Sequence, residues 1–156
     1  MGDLPTLVLP ALLGVILVLA GVEDARSREI ANWKNAAIAC LAPLWWWAQG
    51  LSPWPDVALQ IGLALVVFGI FAAAFAGGWM GGGDVKMIGA LALWLPFTPL
   101  ISMLIVMSLL GGALTIVMVA ESALRRRGTR PEVPYGVAIA IAALLTLREP
   151  IINHLG

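Results

Sequence analysis

The chain has 156 residues, 61% of them hydrophobic and 12% charged, with nine Lys and Arg balancing nine Asp and Glu. Soluble domains run at about 45–50% apolar and about 25% charged. A mean hydropathy of +0.97 therefore excludes a soluble globule and, for the opposite reason, a disordered chain. Zero net charge argues against a nucleic-acid partner, and the single cysteine, Cys40, excludes a disulfide framework and a multi-cysteine zinc site.

Crossing a hydrocarbon core of about 30 Å takes about 20 apolar residues in a helix. Residues 4–22 are an uncharged apolar run and predict the first membrane helix. Asp3 precedes it with no Lys or Arg, unlike a signal peptide, so this helix is expected to stay. Residues 33–51 predict a second, with Lys34 and Asn35 in the first turn and Trp45-Trp46-Trp47 near the end. Residues 57–77 predict a third, and residues 85–95 a short fourth with Lys86 near its start. Residues 98–120 follow the Pro96-Phe97-Thr98-Pro99 break as the fifth, and residues 135–147, between Pro134 and Arg148-Glu149-Pro150, are the sixth. The expectation is an all-α polytopic membrane protein: one membrane-embedded domain over residues 1–156, a bundle of about six transmembrane helices.

Basic residues set the orientation. Arg26, Arg28, Lys34, Lys86, Arg125, Arg126, Arg127 and Arg130 fall on one side and only Arg148 on the other. The positive-inside rule makes the crowded side cytoplasmic and puts both termini outside. Trp45, Trp46, Trp47, Trp54 and Trp94 are then expected to form an aromatic belt at the outer interface.

Two acids stand out on the basic side. Asp84 closes a segment, residues 77–84, in which five of eight residues are glycine, a composition that marks a bend or a close backbone approach. From Asp84 to an outer boundary near Trp94–Leu95 the helix rises only about 16 Å, about half of the hydrocarbon core. An acid at that depth is a functional candidate; the plainer alternative is a helix-capping Asp paired with Lys86 or an Arg. Asp24 ends the first helix and reaches the same level, although alone it reads as an ordinary interfacial charge. Glu23 belongs to the same charged stretch, Glu121 is expected to pair with Arg125 one turn on, and Glu29 and Glu132 read as loop charges. His154 and Cys40 offer neither a nucleophile–base pair nor a metal cluster, so no metal or cofactor is expected. Carboxylate chemistry remains: two acids sharing a proton and activating water, or a proton relay.

Three segments carry a resemblance. Gly81-Gly82-Gly83-Asp84 with Val85-Lys86 matches the GxGD signature of intramembrane aspartyl proteases in the form seen in prepilin leader peptidases. Asp24-Ala25-Arg26-Ser27-Arg28-Glu29-Ile30-Ala31-Asn32 resembles that family's first motif, with Ala31 where Pro is usual. Val133-Pro134-Tyr135-Gly136 resembles the third, a Pro-aromatic-Gly segment opening the last helix. The paired-cysteine segment tied to zinc and methylation in longer relatives is missing, so the chain resembles the short Flp/Tad type. The resemblance implies Asp24 and Asp84 as catalytic residues, with Gly81, Gly82, Gly83, Lys86, Asn32, Pro134 and Gly136 binding substrate or positioning backbone. It also implies an enzyme of the bacterial inner membrane whose partners are lipid and a type IV prepilin or pseudopilin, cleaved at the cytoplasmic face. The competing classes are a small proton-coupled transporter, whose usual related halves are absent from this sequence, and a pilus or secretion assembly subunit.

Overall fold

The computed structural model describes residues 4–124 and 133–155, with side chains through residue 148. The expectations for the basic loop, for a Glu121–Arg125 pair and for Glu149 and His154 fall outside the described side chains. Six helices follow in order: α1 (Leu4–Ser27), α2 (Asn32–Ala48), α3 (Ala58–Ala76), α4 (Gly82–Ala92), α5 (Phe97–Leu124) and α6 (Tyr135–Leu155). A kinked turn, Pro53–Val57, leads into α3. Among the described residues three segments are long and apolar enough to cross a membrane: Leu4–Ser27, Pro53–Ala76 and Phe97–Leu124.

Helices α4 and α6 form the centre. α4 packs against α2, α3 and α6, while α6 packs against α1, α4 and α5. Small residues let α1 approach central α6 closely: a Cβ on Gly21 would lie 3.2 Å from the Ala140 methyl. On α5, Gly111 leaves room for the Tyr135 ring, whose Cε1 would stand 2.7 Å from a Cβ there. The outer helices α3 and α5 bury few residues, Ala64 and Val67 on one and Leu100, Met103, Met107 and Gly111 on the other. Their remaining apolar surface suits lipid rather than water.

α4 has only 11 residues, about 16 Å of rise, yet most of it is buried. Its last carbonyls would be orphaned among apolar helices, and side chains from two neighbours satisfy them. Gln60 Nε2 donates to Ala92 O at 2.6 Å and to Leu95 O at 2.7 Å. Trp46 Nε1 donates to Leu93 O at 2.7 Å.

The tryptophan belt needs correction. Trp94 is 3% exposed and stacks on buried Trp45 with ring centroids 5.6 Å apart. Trp94 Nε1 also donates to Ile38 O at 2.8 Å. Of the five expected belt residues, Trp47 and Trp54 are strongly exposed, at 75% and 81%. The reason is helical geometry: successive residues turn by about 100°, so three adjacent tryptophans on α2 cannot share one face. At the other end of the bundle Trp33 and Trp79 are exposed.

Candidate active site

α1 ends where Arg28 adopts φ +59°, the left-handed conformation that closes many helices and usually belongs to glycine. Its backbone N–H still bonds Asp24 O at 3.0 Å. The turn sends the chain back across the bundle into α2, and Asp24, one turn earlier, faces inward and is buried. Its Oδ2 accepts from Val137 N–H at 3.2 Å, and the Gly136 N–H also faces this carboxylate. Both N–H groups belong to the first turn of α6, the kind of position that receives an anion, and that of Val137 is shared with the Pro134 carbonyl. Gly136 is required by closeness: a Cβ there would meet Asp24 Cγ and Oδ2 at 2.8 Å.

Asp84 is fixed by its own helix. Gly81 is the residue before α4, extended at φ −72° and ψ 145°, and its N–H donates to the Asp84 carboxylate. An acid three residues into a helix that reaches back to the capping N–H is one half of a capping box. A Cβ on Gly81 would stand 3.1 Å from Asp84 Oδ2, so the glycine admits this curl. The plainer alternative for Asp84 is thus half right. It caps α4, but Lys86 does not serve as its partner. Lys86 Nζ instead donates to Asn32 Oδ1 at 2.8 Å and ties the first motif to the second.

Asp24 and Asp84 line one polar cavity of about 260 Å³ together with Asn32 and the three glycines Gly81, Gly82 and Gly83. Arg28 and Glu29 stand at the same cavity, so Glu29 is nearer the acids than a loop charge need be. The two carboxylates are close enough to act on each other electrostatically. Ile30 is wedged between the segments: a Cβ on Gly83 would meet its Cβ at 3.3 Å, and one on Gly136 its Cδ1 at 2.7 Å. Pro134 is buried at the mouth of α6, and its carbonyl accepts from Val137 N–H at 3.2 Å. A larger cavity of about 1090 Å³ lies at the far end of the bundle, lined by Trp45, Trp94, Gln60 and Phe97 among others. Asp56 is its one acid, and it already accepts from the Ser52 N–H and hydroxyl. The smaller cavity is where the chemistry can occur. Among the described residues no three His, Cys, Asp or Glu side chains gather as a metal site.

Other contacts have no motif behind them. Buried Lys34 pairs with Glu23, which also accepts from Ala31 N–H at 3.1 Å. Asn35 is buried, and its Nδ2 donates to Gly83 O at 3.2 Å. Only the opposite charges flanking a short turn hinted at the first contact, and nothing hinted at the second.

An all-helical bundle with span-length apolar helices and two buried acids on one polar cavity defines a membrane protein equipped for carboxylate chemistry. The model of the type IV leader peptidase family matches residues 11–116, about two thirds of the chain. The chain belongs to that family and is a peptidase. The match contains Asp24 and Asp84 and stops before the Pro134–Gly136 segment. No curated relative and no solved structure matches it.

Proposed function

We propose that this peptidase removes the short basic leader of a type IV, Flp-like prepilin or pseudopilin at the cytoplasmic face of the bacterial inner membrane. In this reading all six helices are embedded in the bilayer, with both termini outside, and Asp24 and Asp84 form the catalytic pair. The observation that carries it is the shared cavity: two buried carboxylates lining one polar hollow beside a glycine-rich helix entry.

The donors around each acid support a division of labour. Asp24 accepts from two N–H groups at the start of α6, an arrangement suited to a carboxylate that carries charge. As general base it takes a proton from water, and the water oxygen bonds to the scissile carbonyl carbon. Asp84, protonated, gives its proton to the carbonyl oxygen as the tetrahedral centre forms. Transfer of the proton held by Asp24 to the leaving nitrogen then accompanies cleavage of the C–N bond. Asp84 recovers its proton from a hydroxyl of the collapsing centre, leaving a free amine and a carboxylic acid. Gly81, Gly82 and Gly83 let an extended substrate backbone come near, and Asn32, Lys86, Pro134 and Gly136 hold the cavity walls in register. Co-expression with an Flp-type prepilin, followed on gels for leader removal, tests the reading. An unshortened prepilin in the presence of correctly inserted enzyme refutes it.

A further inference from the structure

Glu23 looks expendable. It does not line the cavity, a third of its side chain is exposed, and Asp24 beside it is the acid that does. Its contacts say otherwise. Oε2 accepts from Lys34 Nζ across the α1–α2 turn and from the Ala31 N–H at 3.1 Å. Lys34 is only 8% exposed in its side chain, and a buried ammonium needs its counter-charge. The Ala31 bond acts on a different object. It anchors the connecting segment immediately after Ile30, and Ile30 is the buried spacer between Gly83 and Gly136. Those two glycines are the backbone neighbours of the acids: Gly83 precedes Asp84, and Gly136 packs on the Asp24 carboxylate. Ile30 therefore touches both sides of the cavity, and Glu23 fixes the backbone from which Ile30 projects.

We propose that Glu23 is a positioning residue of the peptidase: by holding the Ala31 N–H it seats Ile30 between Gly83 and Gly136 and so sets the spacing of Asp24 and Asp84. The inference rests on the reading of those acids as the catalytic pair. It separates two jobs of one carboxylate, neutralising Lys34 and anchoring the loop, and substitutions can separate them too. In Glu23→Gln/Lys34→Met no buried ammonium is left and an acceptor oxygen remains for Ala31. In Glu23→Ala/Lys34→Met the ammonium is also gone, but the acceptor is lost.

The test uses the full chain in lipid nanodiscs with an Flp-type prepilin, reading kcat, KM and Tm for both double variants. A slightly lower Tm is expected for Glu23→Ala/Lys34→Met, which lacks one hydrogen bond, so the kcat–KM split carries the test. Glu23→Gln/Lys34→Met should keep kcat within about threefold of the parent, whereas Glu23→Ala/Lys34→Met should lose about tenfold or more with KM little changed, as a small displacement of reacting groups does. Ile30→Ala, which removes the spacer and leaves Glu23 intact, should give the same split of kcat from KM. Equal kcat in the two double variants would overturn the proposal and leave Glu23 as a counter-ion for Lys34. Failure of the parent chain to cleave would instead overturn the catalytic reading, and this proposal with it.

Discussion

A methyl group on residue 136 would sit 2.8 Å from the Asp24 carboxylate and 2.7 Å from Ile30 Cδ1. Neither neighbour can retreat freely, since Asp24 is held by the start of α6 and Ile30 is buried. Gly136→Ala should therefore displace the acid and lower the rate of leader removal by about a hundredfold, with insertion unchanged on membrane fractionation. Asp24→Asn and Asp84→Asn should each abolish cleavage, and the double substitution should be no worse than either alone, because the two groups act as a unit. Steady-state rates on one prepilin decide this; near-normal turnover by either variant removes that residue from the pair. The acids were legible in the sequence because glycines and charges in an apolar chain are conspicuous, and because three motifs stood in order. Glu23 and Ile30 were not. A charge beside a more prominent charge, and an isoleucine in a chain full of aliphatics, carry no local mark of what lies across the fold.

Helix α4 shows why length was the informative element-scale signal. A run too short to span predicted that Asp84 would lie below the membrane surface; what the fold shows of this residue is burial of its side chain among protein groups. What the run could not reveal is how the end of such a helix is closed, because the partners of its carbonyls come from α2 and α3. The same blindness explains the tryptophans. Composition favours the interface, but Trp94 spends its ring on Trp45 and its N–H on Ile38 O. Trp94→Phe keeps most of the stacking and removes one buried hydrogen bond. It should lower stability by about 1 kcal/mol, measurable as a reduced Tm in detergent.

For the whole molecule the basic asymmetry makes a geometric claim. Arg28 and Lys86 belong to the end that carries the acids, and Trp47 and Trp54 to the other. With Cys40 replaced by Ser, cysteines introduced at residues 28 and 86 should react with an impermeant thiol reagent only from the cytoplasmic side, and one at residue 54 only from outside. Labelling of residues 28 and 86 from opposite sides would contradict the bundle as well as the orientation. The helix order and the meeting of the motif segments were legible because hydrophobic runs and motif order survive in one dimension. Which helices occupy the centre was not, since α3 and α5 are as apolar as any segment yet lie outermost.

Gln60 turns the usual hydropathy rule around. In a membrane segment a glutamine counts against insertion, and exchanging it for leucine makes the chain greasier. Here its amide answers the carbonyls of Ala92 and Leu95, and a carbonyl left unmet in an apolar surrounding costs on the order of 2–4 kcal/mol. Gln60→Leu thus sets two scales against each other: easier partition of one helix into lipid, and a broken seal at the tip of another. Selection for membrane affinity alone would remove this glutamine, whereas selection for a short buried helix whose end is closed by a neighbour keeps it.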